Sequence, residues 1–226
     1  MSPDTIRIAR FAAPVTVLGP GVRVAVWVQG CTIGCHGCAS VDTWSSDAGT
    51  SADIEVLAAD LARTAAEVGA TGLTVTGGEP FQQPDEVTRL IDATRRRWDR
   101  GAEMDALVFT GYAAAAARRR APRLWAVADA VIAGPYRRDR PSPHPVLGSA
   151  NQTIETNTAL GATRMARVAP ARPAIQVAVD DGAVSLIGLP DPGDLDRLRA
   201  KLAARGIRLP EVSWDAESPD GGRARP

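Results

Sequence analysis

Short apolar runs alternate along this chain with longer segments whose apolar residues recur at helical spacing. Four runs rich in apolar and β-branched residues predict buried strands, at residues 22–28, 73–76, 106–110 and 130–133. Four intervening segments predict helices, at residues 54–68, 84–98, 113–120 and 122–127. Strands separated by helices form βα units with a parallel sheet. Because such crossovers are right-handed, the sheet is expected to curl into a partial (β/α) barrel, an α/β fold.

Local signals sharpen two of these boundaries. Ser51 or Asp53 is expected to cap the first helix, with Glu55 in its first turn and Gly69 at its end. Residues 45–51 are polar and predict a loop. The apolar segment at residues 6–11 lies before a Pro-Gly turn and predicts a surface hairpin or an edge strand.

The C-terminal third has a different pattern. Residues 175–179 and 184–187 predict a hairpin around an Asp-Gly turn, and residues 191–204 predict a helix that Gly206 ends. No ligand motif occurs there. We therefore expect three parts: a barrel core at residues 1–160, a small α+β appendage at 161–215 and a disordered tail at 216–226.

Composition excludes two classes of partner. The chain has 226 residues, 45% of them hydrophobic, with 26 Lys and Arg balanced by 26 Asp and Glu. A basic footprint for nucleic acid is therefore not expected. No apolar run approaches the roughly 20 residues that a membrane span requires. The expectation is a cytoplasmic protein that binds neither nucleic acid nor membrane.

The strongest chemical signal is a cysteine array, QGCTIGCHGCASVDTW, at residues 29–44. Cys31, Cys35 and Cys38 are the three cysteines of the chain, and they directly follow the predicted strand 22–28. In α/β folds, ligands bind at the carboxyl ends of strands. Clustered thiolates favour a soft metal: an iron–sulfur cluster, zinc or copper(I). Three thiolates on a four-iron cluster leave one iron open to bind a substrate.

The array has two other interpretations. His36 is a possible fourth zinc ligand, but it is adjacent to Cys35, and neighbouring residues rarely reach one ion with good tetrahedral geometry. A disulfide plus a spare thiol fits an oxidising compartment, whereas no signal peptide precedes this odd number of cysteines. The sequence therefore favours an iron–sulfur cluster.

A second motif, Gly77-Gly78-Glu79-Pro80, directly follows the predicted strand 73–76. Two glycines expose backbone groups that a ligand can approach closely, and the carboxylate can bind an ammonium group. The motif is not a P-loop, because no Gly-Lys-Ser/Thr follows it. Alone it is a weak signal, but it lies about one βα unit after the cysteine loop.

Together these motifs resemble the radical S-adenosylmethionine (radical SAM) enzymes, and more narrowly the small activases of glycyl-radical enzymes. The resemblance implies that Cys31, Cys35 and Cys38 ligate a [4Fe–4S] cluster. It also implies that Gly77, Gly78 and Glu79 bind the methionine amino group of SAM, with Pro80 in the extended pattern. Gly19, Gly21 and Arg23 match the glycine-rich turn before the first barrel strand of the activases.

The resemblance continues at VFTGY (108–112), DAVIAGPY (129–136) and GSANQ (148–152). It implies cofactor or substrate contacts from these segments, by Thr110, Tyr112, Tyr136, Ser149, Asn151 and Gln152. The alternatives are turn chemistry for the polar residues and packing at the barrel rim for the tyrosines. Ala39-Ser40 departs from the Asn-Pro usual in the activases, whereas Thr43-Trp44 is kept.

The function implied by the resemblance is reductive cleavage of SAM to a 5′-deoxyadenosyl radical. In an activase this radical removes hydrogen from a glycine of a partner glycyl-radical enzyme, with flavodoxin or ferredoxin as reductant. Two alternatives remain: a radical SAM enzyme that modifies a small molecule or peptide, favoured if the appendage closes the barrel mouth, and a non-catalytic zinc or iron–sulfur module.

Overall fold

The computed structural model describes residues 4–98, 103–168, 174–180 and 183–207. Its strands are β1 (Thr5–Val15), β2 (Arg23–Val28), β3 (Thr50–Asp53), β4 (Gly72–Gly77), β5 (Asp105–Thr110), β6 (Ala130–Ala133), β7 (Thr153–Thr156), β8 (Ile175–Asp180) and β9 (Ala183–Gly188). Its helices are α1 (Ile54–Val68), α2 (Pro84–Arg97), α3 (Ala114–Arg120), α4 (Pro122–Val127), α5 (Ala159–Met165) and α6 (Asp194–Ala203). None of these helices has the length and apolar character needed to cross a membrane.

The central sheet is mixed, with the order β3-β1-β2-β4-β5-β6-β7. Its four middle strands, β2, β4, β5 and β6, are parallel, and the strands on either side of them are antiparallel. The predicted strands and helices of the βα units are present with shifts of one residue at several ends. The α/β class with a parallel sheet is confirmed.

The parallel register brings four loops to one edge of the sheet. Val28 pairs with Gly77 at the ends of β2 and β4, and Thr110 pairs with Ala133 at the ends of β5 and β6. Because parallel strands all end at the same edge, the cysteine array and the segments that follow β4, β5 and β6 meet there.

The two faces of the sheet have different roles. Val24, Val26 and Val28 pack with α1, α2 and α4 in the main hydrophobic core. The alternate residues Ala25 and Trp27 face the other side and pack with residues of β1 and β9. All six residues of β2 are buried, as expected of a central parallel strand covered on both faces.

The N-terminal region differs from the prediction in one respect. β1 forms a hairpin with β2, but the edge of the sheet is β3, which pairs antiparallel with β1. Ser51, expected in a loop or at a helix cap, lies in β3. Asp53 is the cap, and its side chain accepts hydrogen bonds from the N–H groups of Glu55 and Val56. The sequence of β3 is polar, so no apolar pattern marks it as a strand.

β7 and α5 were not predicted. β7 pairs antiparallel with β6, and α5 follows it, with Gly161 packed against the backbone of Asp129. Residue 160 therefore lies inside α5. The division of the chain at that position stays a prediction.

The C-terminal hairpin is present as β8 and β9, a separate two-stranded sheet. The helix after it starts at Asp194 instead of 191, because Gly193 is in the left-handed conformation, with a φ of 88°. Part of the Asp-Gly turn, at residues 181–182, and the predicted tail at 216–226 lie outside the described residues.

Arg23 joins the amino ends of three parallel strands. It is fully buried, and its guanidinium donates to Thr74 Oγ1, at 2.6 Å, and to the backbone oxygen of Leu73, at 2.7 Å. It also forms an ion pair of 2.8 Å with the carboxylate of Asp105. The planar guanidinium has five N–H donors for these acceptors, whereas a lysine ammonium has three.

We expect Arg23→Lys to lower the free energy of unfolding by about 2 kcal/mol, because it keeps the charge but leaves buried acceptors unpaired. The matched control is Arg63→Lys, since Arg63 forms exposed ion pairs with Asp60 and Glu67. That control is expected to change stability by less than about 0.5 kcal/mol. Urea denaturation of both variants measures the difference. Equal, small effects would contradict a structural role for the buried guanidinium.

Candidate active site

The cysteine array forms a loop whose two ends are joined by backbone hydrogen bonds. Gly30 N–H donates to Thr43 O at 2.8 Å, and Cys31 N–H donates to Trp44 O at 2.9 Å. The buried Gln29 amide donates to the backbone oxygens of Asp42 and Ser45, on the returning arm of the loop. These hydrogen bonds fix the loop at the carboxyl end of β2.

The three cysteines are free thiols, each partly buried. Burial raises the pKa of all three, that of Cys35 to about 11. Since a metal binds the thiolate, its binding replaces these protons. Ser40 N–H lies 3.4 Å from Cys38 Sγ, a contact of the kind that tunes iron–sulfur potentials.

No three His, Cys, Asp or Glu side chains in the described parts of the chain converge closely enough to hold one metal ion. In a four-iron cluster the cysteines bind different irons and do not need to converge on a point. His36, the possible zinc ligand, is exposed on the loop and does not line the cavity that contains the cysteines. The arrangement suits a cluster better than a single zinc ion.

Gly77, the last residue of β4, and Gly78 pack against the start of the cysteine loop. Gly78 N–H donates to Val28 O, and Glu79 N–H donates to Gly30 O, both at 2.8 Å. A Cβ at Gly77 would lie 2.6 Å from the Cα of Trp27, and one at Gly78 would collide with the carbonyl of Gly30. Gly77 also has a φ of 96°, which favours glycine. The close approach of these two loops therefore requires both glycines.

The Glu79 carboxylate is buried at the centre of the site, only 1% exposed. It accepts hydrogen bonds from Phe81 N–H (2.9 Å), Thr110 Oγ1 (2.8 Å) and Gly111 N–H (2.8 Å). Burial raises the pKa of this carboxyl group, and the three donors oppose that rise. None of the ion pairs among the described residues involves Glu79. The charge of Arg120 also lowers that pKa, but from beyond ion-pair distance, so a ligand ammonium group would supply a direct ionic partner.

The cysteines and Glu79 line one cavity of about 280 Å³. This volume is close to the lower limit of small-ligand pockets. Several predicted site residues also line it: Cys31, Cys35, Cys38, Gly77, Gly78, Glu79, Thr110, Tyr136 and Gln152. Four others do not line it: Pro80, Tyr112, Ser149 and Asn151.

The segment GSANQ supports the loop after β6. Ser149 Oγ accepts from Arg137 N–H at 3.0 Å, and Asn151 Nδ2 donates to Pro135 O at 2.8 Å. Gln152 Nε2 donates to Gly134 O at 2.9 Å. Ser149 and Asn151 thus make turn contacts, whereas Gln152 supports the turn and also lines the cavity. The contact of these residues with cofactor or substrate stays a prediction.

Sequence reasoning missed Gln82, which connects three parts of the site. Its Nε2 donates to Thr32 Oγ1 (2.6 Å) and to Tyr112 Oη (3.1 Å), and its Oε1 accepts from Thr32 N–H (3.2 Å). Tyr112 is therefore a partner of Gln82 and does not line the cavity. The one signal in the sequence for a role of Gln82 at the site was its position, three residues after Glu79.

Comparison with known proteins identifies the family. The 4Fe-4S single cluster domain family matches residues 17–155. The anaerobic ribonucleoside-triphosphate reductase-activating protein of Enterobacteria phage T4 is 31% identical over 63% of this chain and 88% of its own length. The protein of the same name from Pasteurella multocida is 33% identical over 61% of this chain and 89% of its own length. The chain belongs to this radical SAM activase family.

Two further comparisons cover a smaller part of this chain. The pyruvate formate-lyase 1-activating enzyme of Escherichia coli is 32% identical over 40% of this chain and 37% of its own length. Among solved structures, QueE from Escherichia coli is 22% identical and overlaps 47% of this chain and 53% of that chain, with a TM-score of 0.38. A TM-score this low does not define the fold.

The activase uses a [4Fe–4S] cluster and SAM. The residues present fit both groups. Three thiols share the cavity with a buried carboxylate that has no cationic partner among the ion pairs of the described residues, and the paired glycines leave backbone groups open beside it.

We expect Gln82→Ala to preserve the fold but to make the cluster more labile. The loop that carries Cys31 would lose two hydrogen bonds at Thr32, each worth about 1 kcal/mol. The rate at which an iron chelator removes the cluster is therefore expected to rise about tenfold. The double variant with Thr32→Ala should be no worse than Gln82→Ala alone. An unchanged rate, or full additivity of the two changes, would show that the contact does not hold the loop.

Proposed function

We propose that this activase generates a glycyl radical on a partner enzyme. The observation that carries the proposal is the presence of the three cysteines, Gly77-Gly78 and Glu79 in one cavity at the carboxyl ends of the parallel strands. Relatives named as activating proteins of a ribonucleotide reductase and of pyruvate formate-lyase support this choice of substrate class.

Each part of the site has a role in the proposal. Cys31, Cys35 and Cys38 hold the cluster, and Gly77, Gly78 and Glu79 orient the methionine end of SAM. When bound and reduced, the cluster would supply the electron that cleaves SAM into methionine and the hydrogen-abstracting 5′-deoxyadenosyl radical. The protein excludes water and stray hydrogen donors while that radical exists.

The proposal also covers the other residues of the cavity, the shape of the sheet, the reductant and the cellular compartment. Thr110, Tyr136 and Gln152 line the same cavity and are proposed to contact cofactor or substrate. The four parallel strands and their helices are proposed to form a partial barrel. The reductant is a flavodoxin or ferredoxin, and the site of action is the cytoplasm, since free thiols and a labile cluster suit a reducing compartment.

A second candidate has one observation in its favour. Residues of the appendage line the cavity, as expected if the enzyme acts on a small molecule or peptide that it encloses. The relatives named as activating proteins nevertheless favour the first candidate. The activase function is therefore preferred, and the experiment below tests both candidates.

The test combines reconstituted holoenzyme, SAM and reductant with a candidate glycyl-radical enzyme under anaerobic conditions. The proposal predicts an organic radical by EPR, whose hyperfine splitting collapses when the partner is made with α-deuterated glycine. The deuterium should appear in 5′-deoxyadenosine. Abundant 5′-deoxyadenosine without a protein radical on any candidate partner would instead favour the small-molecule reaction.

A further inference from the structure

One side of the active-site cavity comes from outside the region that matches the family. The match ends at residue 155, whereas residues 186–193, 195 and 196 line the cavity together with the three cysteines. These residues extend from the second half of β9 to the first turn of α6. We call residues 186–196 the appendage wall.

The side chains that the wall presents to the cavity are mostly apolar. Asp191 and Asp196 are its two charged lining residues, and no side chain among its lining residues is a hydrogen-bond donor. The apolar lining residues of the wall are Leu186, Ile187, Leu189, Pro190, Pro192 and Leu195. This composition suits a barrier to water better than a site that recognises a ligand by hydrogen bonds.

The wall is attached to the rest of the protein at two places. The Gln176 side chain, on β8, donates to Pro14 O at 2.6 Å and accepts from Thr16 N–H at 3.0 Å. Ile187, on β9, is only 4% exposed and belongs to the same small hydrophobic cluster as Val15 and Trp27. These contacts hold the wall beside β1 and β2.

The wall approaches the cysteine loop next to Cys38. Ala39, the residue after Cys38, lines a gap of about 20 Å³ together with Leu186, Pro190 and Leu195. A gap of this volume holds about one water molecule, and a water needs polar partners to stay in it. Every residue around this gap is apolar or glycine, so its side chains offer water no hydrogen bond. The contact between wall and loop is therefore dry.

A dry wall changes the properties of an iron–sulfur cluster in two ways. The apolar shell around a metal site controls solvent access and the local dielectric constant, and through them the reduction potential. Reduction adds one negative charge to a cluster that its thiolates already make negative, and an apolar neighbour makes that added charge more costly. Chelators and oxidants also reach a covered cluster more slowly.

We propose that the appendage wall excludes water from the part of the cluster site next to Cys38, and that it thereby slows cluster loss and lowers the reduction potential of the cluster. Leu195 is the central residue of this cover, because it lines both the main cavity and the dry gap. The inference rests on the cluster and not on the identity of the hydrogen donor, so it goes beyond the proposed function.

Three variants of the full-length holoenzyme test the proposal. Leu195→Asn places a polar, uncharged side chain of similar size in the wall, whereas Leu195→Met keeps the wall apolar. The matched control is Leu198→Asn, the same polar change on the same helix at a residue that lines neither cavity. Leu195 and Leu198 are both half-buried, so the control accounts for effects of the change on the stability of the appendage.

Two measurements follow the cluster in the absence of SAM. The absorbance of a ferrous chelator gives the rate at which iron leaves the anaerobic holoenzyme. A redox titration monitored by EPR gives the reduction potential of the cluster. Neither readout depends on turnover.

In Leu195→Asn, iron is expected to leave about tenfold faster, the lower end of the usual effect of a change around a metal site, and the potential is expected to become less negative. Leu195→Met and Leu198→Asn should match wild type in both measurements. An unchanged rate or an unchanged potential in Leu195→Asn would overturn the inference, as would an equal change in either of the other variants. Because neither measurement needs a partner enzyme, failure of the proposed function would leave this inference standing.

Discussion

Cys35→Ala is expected to abolish binding of the four-iron cluster. Two remaining thiolates do not hold four irons, and the Cys35 thiol lies within the cavity, where no spare cysteine exists to replace it. After anaerobic reconstitution, bound iron should fall below about a tenth of the wild-type amount, because ligand loss removes the free energy of metal binding. Iron and sulfide analysis and the absorption of the cluster measure this directly.

The control for Cys35→Ala is a small-residue substitution in the same loop, Ser45→Ala. The exposed Ser45 hydroxyl accepts a hydrogen bond from Asp47 N–H, at 3.3 Å, so its removal should leave the iron content unchanged. Thermal unfolding of the two metal-free variants should also agree, because the folded loop is closed by backbone bonds at Gly30 and Cys31. A full complement of four irons in Cys35→Ala would refute the ligand assignment.

Glu79→Gln is expected to retain the cluster but to weaken SAM binding by two to three orders of magnitude. This corresponds to a loss of about 3–4 kcal/mol, the usual effect of removing one partner of a buried, hydrogen-bonded charge pair. The structure makes glutamine more informative than alanine here. Glutamine keeps one acceptor oxygen for Phe81 N–H and Thr110 Oγ1 and leaves Gly111 N–H facing an amide NH2, whereas Glu79→Ala would leave all three donors without an acceptor.

SAM affinity of the Glu79→Gln holoenzyme is measured by equilibrium binding, with iron content and thermal stability as companion readouts. Glu67→Gln is the matched control, because Glu67 is exposed on α1 and forms only a surface ion pair. Unchanged SAM affinity would reduce the Gly-Gly-Glu-Pro segment to a structural turn. Loss of iron together with SAM affinity would assign Glu79 to the support of the cluster loop.

Much of the core fold could be predicted because its signals are local and strong. The apolar run of β2 predicts one strand, and the local signals limit the cap of α1 to Ser51 or Asp53, of which Asp53 is the cap. The meeting of the two motifs was predictable for the same reason. The cysteines follow the end of β2, Gly77-Gly78 lie at the end of β4, and a parallel sheet brings these two ends together.

The parts that escaped prediction depend on contacts distant in sequence. β3 and β7 are short and polar, and they become strands because β1 and β6 offer unpaired edges. Nothing in the local sequence distinguishes Gln82 from other polar residues. Its hydrogen bond to Thr32 forms only because folding brings the two residues together. The appendage has no ligand motif, and its approach to the cavity depends on the packing of Ile187 against Trp27.

The central claim is that these residues form a site for radical SAM chemistry. It is tested most directly by incubating the anaerobically reconstituted, dithionite-reduced protein with SAM and quantifying 5′-deoxyadenosine and methionine. We predict that both products form in equal amounts, and that neither forms with Cys35→Ala. A protein that binds four irons and SAM yet yields no 5′-deoxyadenosine, with or without a glycyl-radical partner, would contradict this account.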